Sequence, residues 1–112
     1  MNEFPKFMKH SANKIMTSHQ TTPGVEGYVF DGVEGSQMAF WTCQENASSG
    51  RPAHKFDEYM LVVQGCYMLI IDGRRIPIAA GEEYVIPRGT PHAGEVLADT
   101  RTVRPKSASA VG

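Results

Sequence analysis

Residues 54–92 read HKFDEYMLVVQGCYMLIIDGRRIPIAAGEEYVIPRGTPH. Near the middle stands Asp72-Gly73, a two-residue hairpin signal, because a type I′ turn needs positive φ at both central positions. Folding about that turn sets Ile71 opposite Arg74, Leu69 opposite Ile76 and Tyr67 opposite Ile78, which makes one continuous apolar face. The other face pairs Ile70 with Arg75 and Met68 with Pro77, and it also carries large apolar side chains. A strand that is apolar on both faces is covered on both faces. In a chain of 112 residues the second cover is expected to be a partner subunit, hence a homodimer.

Outward from the hairpin, turn signals recur at short intervals: Pro23-Gly24, Asp31-Gly32, Ser49-Gly50, Ala80-Gly81 and Pro87-Arg88-Gly89. Between them lie runs rich in Val, Ile, Tyr, Phe and Met, namely 28–30, 38–45, 59–64, 66–71, 74–78 and 84–86. Short strands separated by Gly and Pro turns predict an all-β sandwich or barrel. Only 4–16 is a candidate helix, and its apolar spacing is weak. The expected organisation is an N-terminal arm over 1–24, a β-barrel over 25–104 and a disordered Ser/Ala-rich tail over 105–112.

Charge and composition exclude several classes of function. Lys and Arg number 11 against 12 Asp and Glu, a formal net charge of −1. A binder of nucleic acid or of an anionic membrane surface needs a basic excess. No apolar stretch is long enough for a transmembrane helix, and the first residues lack the apolar core of a signal peptide, so the expected location is cytoplasmic. Cys43 and Cys66 belong to no C-x-x-C pair. They read as small buried hydrophobes rather than as a redox or zinc site.

His54 and Glu58 are four residues apart, so on an extended strand they share a face with Phe56, Met60 and Val62. That face is the interior, where a His and a Glu are costly unless paired or bound to metal. His92 follows a Pro-x-Gly turn at the start of another strand-like run. Two imidazoles and a carboxylate from separate strands are a ligand set for a divalent first-row metal with open positions. Singly, each residue has an ordinary reading as a packed or solvated side chain; together at this spacing they point to a site.

The same residues resemble the cupin superfamily. Its first motif is Gly, five residues, His-x-His, three or four residues, Glu, six residues, Gly; here His54, Glu58 and Gly65 fall on it. Its second is Gly, five residues, Pro-x-Gly, two residues, His, three residues, Asn; here Gly81, Pro87, Gly89 and His92 fall on it. The resemblance implies an all-β cupin double-stranded β-helix, a jelly-roll-like barrel, with a metal held by His54, Glu58 and His92. Pro52 stands where the first His of the pair belongs, and Val96 where the Asn belongs. A three-ligand site of Fe, Mn, Ni or Zn is therefore expected, losing metal more readily than a four-ligand one. The alternative is a cupin whose site has become a polar pocket.

The implied function is binding of a small oxygen-bearing ligand at that metal, with no catalytic residue assigned and no nucleic-acid or membrane partner. The alternative is a metal-dependent dioxygenase or isomerase acting on a small organic acid or sugar-like substrate. Trp41 and Phe40 lie on opposite faces of one strand, and one of the two is expected to line the pocket. Arg51, Lys55 and Arg88 flank the ligand positions on turns, and Asp57 is expected at the surface.

Overall fold

The computed structural model describes residues 3–16, 24–51 and 55–107. The Asp72-Gly73 turn forms, with φ of 52° and 74°. Strand β5 (Cys66–Ile71) pairs with β6 (Arg74–Ala79) in the expected register, Ile71 with Arg74, Leu69 with Ile76 and Tyr67 with Ile78. Pro77 is accommodated because β6 is an edge strand.

Upstream of β5 lie β1 (Val25–Asp31), β2 (Gln37–Cys43), β3 (Ala47–Arg51) and β4 (Glu58–Gln64); downstream follow β7 (Glu83–Ile86), β8 (His92–Val96) and β9 (Thr100–Lys106). All described pairings are antiparallel. One sheet has the order β1-β2-β9-β4-β7 and the other β3-β8-β5-β6. The sequence predicts a single jelly-roll-like barrel; among the described residues the strands instead form two separate sheets, facing each other as a sandwich. The reason lies at the corners. Between Val62 and Gln64 the β4–β9 register slips at a bulge, and then Gly65 at φ 81° is the one residue between β4 and β5. A bulge followed by a left-handed glycine bends the chain out of one ladder and into the other.

Thr100, 1% exposed, staples that corner. Its hydroxyl accepts from the Cys66 N–H and donates to the Cys66 carbonyl, both at 3.2 Å. The space between the sheets is filled from both sides by Met60, Val62, Tyr67, Leu69, Ile71, Ile78 and Ile86, all buried. Cys43 is buried and Cys66 half-buried, and both are free thiols.

Two strands depart from the sequence reading. Ser49-Gly50, expected as a turn, lies inside β3, which pairs with β8 from Ala47–Val96 to Arg51–His92. Ala-Ser-Ser-Gly-Arg holds no β-branched or aromatic residue, so the strand carries no propensity signal. Strand β9, absent from that reading, sits between β2 and β4 and runs through Lys106, past the expected end of the barrel at residue 104. Residues 108–112, in the expected tail, lie outside the described residues.

The candidate helix over 4–16 proves to be two single 3₁₀ turns, Lys6–Met8 and Ser11–Asn13. This arm lies on the outer face and edge of the first sheet. Phe4 is 6% exposed and meets Phe40 edge-on at 5.6 Å; Phe40 in turn meets Phe30 at 5.9 Å. Lys14 bridges Tyr28 on the edge strand β1, and the Ile15 N–H donates to the Gly27 carbonyl at 2.9 Å. Among the described residues no helix is long and apolar enough to cross a membrane.

Two of the glycines of positive φ, Gly65 and Gly73, predict different costs. At Gly73 a Cβ would meet nothing within 4 Å, whereas at Gly65 it would lie 2.4 Å from Thr100 Oγ1 and 2.8 Å from Thr100 Cα. Gly73→Ala should lose about 1–2 kcal/mol for the left-handed backbone alone. Gly65→Ala adds a clash with backbone and should lose about 2–4 kcal/mol. Urea unfolding of both variants checks the order; equal losses would contradict it.

Candidate functional site

Glu58, Met60 and Val62 alternate along β4 onto the inner face, with exposures of 3%, 0% and 0%. The alternation expected from the sequence thus holds for these three, while Phe56 lies before the strand, half-buried, with Lys106 Nζ 5.1 Å from its ring centre. His92, 9% exposed, opens β8 in the opposite sheet. Its Nδ1 lies 3.0 Å from the Thr90 carbonyl. A carbonyl only accepts, so Nδ1 is the nitrogen that donates in this contact. His54 and Pro52 lie outside the described residues, and for Arg51 only the backbone is described. Among the described residues no group of three or more His, Cys, Asp or Glu side chains gathers as a metal site.

The turn that delivers His92 is fixed from β4. Asp57 accepts from the Arg88 N–H at 2.9 Å and pairs with the Arg88 guanidinium at 3.2 Å. Its own N–H donates to Ser107 Oγ at 2.8 Å, and its carbonyl accepts from the Ser107 N–H at 3.0 Å. Asp57 is half-exposed, near the surface where the sequence put it, and it holds the Pro-Arg-Gly turn to the start of β4 and the end of β9. Arg88 is therefore a clamp on the turn.

The side chain that sequence reasoning missed is Arg104. Register carries it inward: Ala39 pairs with Arg104 and Trp41 with Thr102, while Val62 pairs with Thr102 on the other side. Directly paired residues share a face, so Trp41, Thr102 and Arg104 look into the sandwich with Val62. Phe40 takes the outer face against Phe4. The Arg104 side chain is 17% exposed; its Nη1 lies 3.5 Å from Glu58 Oε2, and its Cζ lies 4.6 Å from the centre of the Tyr67 ring. Desolvation opposes the charge on Arg104, but Tyr67 and Glu58 outweigh it and push the pKa up. Tyr67 has room because of Gly94, where a Cβ would stand 1.7 Å from the Tyr67 hydroxyl. The signal for Arg104 was its phase with Thr102 and Thr100, two and four residues earlier, in a run whose arginines read as solvated charge.

The cupin-domain family model matches residues 39–104. The chain is a cupin. No protein of curated function matches this cupin in sequence. Among solved structures it resembles KdgF from Halomonas sp., with a TM-score of 0.69 and 17% identity over 85% of this chain and 92% of that one. A cupin superfamily protein from Desulfitobacterium hafniense gives 0.69 and 14% over 80% and 82%. Salicylate 1,2-dioxygenase from Pseudoaminobacter salicylatoxidans, solved with gentisate, gives 0.68 and 13%, over 75% of this cupin but 25% of that chain. At such identities the likeness is one of fold.

Hydrogen bonds from Arg88 hold the Asp57 carboxyl below the usual carboxylate range. A lowered folded pKa gives stability that is present above the unfolded value and lost as pH falls through the folded one. Asp57→Asn should therefore lower Tm at neutral pH, and the deficit should close as pH falls below about 4. A deficit constant from pH 7 to the acid limit would show that the Asp57 charge contributes nothing.

Proposed function

We propose that this cupin binds a divalent first-row metal, Fe, Mn, Ni or Zn, between its sheets and takes a small oxygen-bearing molecule there. The observation that carries the reading is the pair Glu58 and His92, both buried and presented inward from opposite sheets. Fixing Nδ1–H on a backbone carbonyl is how a metal-binding imidazole is oriented, with Nε2 as the ligand atom. A buried carboxylate on the facing sheet is a fitting second ligand, and His54 is the third by spacing. Such a metal, when bound, would polarise an oxygen of the guest. The chain's own part is to hold the ligands and exclude water with Met60, Val62 and Leu69, each 0% exposed.

Catalysis as a dioxygenase or isomerase is the second reading. It is favoured by Tyr67, buried at 6% exposure, whose ring centre lies 4.6 Å from the Cζ of Arg104, the residue that contacts Glu58.

Protein purified without nickel resin or chelator should contain metal or take it up on incubation with Mn, Fe, Ni or Zn. Glu58→Gln and His92→Ala should each weaken that uptake at least about tenfold. Pro52→His should strengthen it by about 1–3 kcal/mol, roughly tenfold to a hundredfold in Kd. Wild-type protein that takes up none of the four metals would overturn the reading.

The reading includes a cytoplasmic homodimer. Met68 and Ile70, half-buried on the outer face of β5, support a second copy as their cover. Sedimentation should give twice the chain mass at micromolar concentration; a monomer would refute the assembly.

A further inference from the structure

Among the described residues three buried side-chain polar atoms have no hydrogen-bond partner: Trp41 Nε1, Thr102 Oγ1 and Arg104 Nε. They belong to one patch. Trp41 and Thr102 are paired across β2 and β9, and Arg104 is two residues further along the same face. Paired residues on one face have Cβ atoms roughly 5 Å apart. Two of the three atoms are N–H donors and the third is a hydroxyl that can donate. Leaving each unmade costs about 1–3 kcal/mol, a cost that an apolar residue at 102 or 104 would avoid. The neighbours do not relieve it: Arg104 is paired with Ala39 on β2, and Met60 lies one step from the Leu61–Val103 pair on β4.

Arg104 also has N–H donors to spare. Its contact with Glu58 is one long bond of 3.5 Å, from a group with five N–H donors. The Tyr67 ring, 4.6 Å from Cζ, fixes the plane of the guanidinium. Its edge still reaches solvent, with 17% of the side chain exposed.

We infer that this patch binds a carboxylate: Arg104 meets the guest through its open edge, and Trp41 and Thr102 supply the further donors. A planar guanidinium matches a planar carboxylate. Glu58 already offsets part of the Arg104 charge, so a monoanion adds less uncompensated charge to this poorly solvated space than a phosphate dianion would. Glu58 competes for the same guanidinium, so removing its charge should strengthen the guest's hold. The inference rests on the reading that a small molecule enters between the sheets, and it does not need a metal.

The chain has one tryptophan, so the indole N–H signal in a ¹⁵N correlation spectrum reports on this patch without assignment. Metal-free protein is titrated at constant ionic strength with sodium propionate and, in parallel, with propionamide. Propionate should move the signal saturably and propionamide should not. Arg104→Gln should weaken the propionate response roughly tenfold to a hundredfold, and Glu58→Gln should respond at lower concentration than wild type. An equal response to the amide, or no saturable response to propionate in either wild type or Glu58→Gln, overturns the inference and leaves water as the partner of these donors. The wild-type comparison stands even if Arg104→Gln fails to fold. Metal content, measured separately, distinguishes failure of the metal reading from failure of this one.

Discussion

A single residue, Gly65, takes the chain out of one sheet and into the other, and the arrangement of the interior follows from that step. Because β4 and β5 are joined so tightly, the inward side chains of β4 are brought over those of β5 with no loop to absorb slack. Glu58, Met60 and Val62 on one side and Tyr67, Leu69 and Ile71 on the other are consequently placed by the same corner. Thr100 locks it, using one hydroxyl to satisfy both backbone groups of Cys66. A longer connection would let either sheet slide and would separate the apolar part of the interior from its charged part.

The sandwich has two kinds of interior, side by side. Met60, Val62, Leu69, Ile71, Ile78 and Ile86 form a core that needs only shape and volume. Beside it lie Glu58, Arg104, Tyr67, Trp41 and Thr102, where polar atoms are buried with incomplete hydrogen bonding. A buried ion pair is weak evidence for stability, because desolvation offsets much of the attraction. The apolar part accounts for the fold, and the polar part is better understood through what it can bind.

Local signals were legible in the sequence, and non-local ones were not. Asp72-Gly73 fixed its hairpin to the residue because turn chemistry sets register within a few positions. The alternation of Glu58, Met60 and Val62 told which way β4 faces, and the two glycine-containing motifs told the family. The choice between Trp41 and Phe40 could not be made from one strand. It depends on which face of β2 meets Val62 through β9, a pairing between segments some sixty residues apart in the chain. Arg104 was hidden for the same reason: its inward direction is set by its phase with Thr102, and two arginines within a short run look like surface. Strand β3 was hidden differently, since its pairing with β8 uses the backbone and its residues favour turns.

The N-terminal arm has a consequence for solubility. Strand β1 ends its sheet, and an edge strand offers unpaired N–H and C=O groups to any passing strand. Lys14 and Ile15 occupy part of that edge, and Phe4 closes over the aromatic pair Phe30 and Phe40 beside it. The arm therefore guards the molecule against sticking to its own copies. Its residues stand outside the family's motifs, yet a shortened chain lacking them would bare a sheet edge and a greasy patch together, and would tend to aggregate with its core intact.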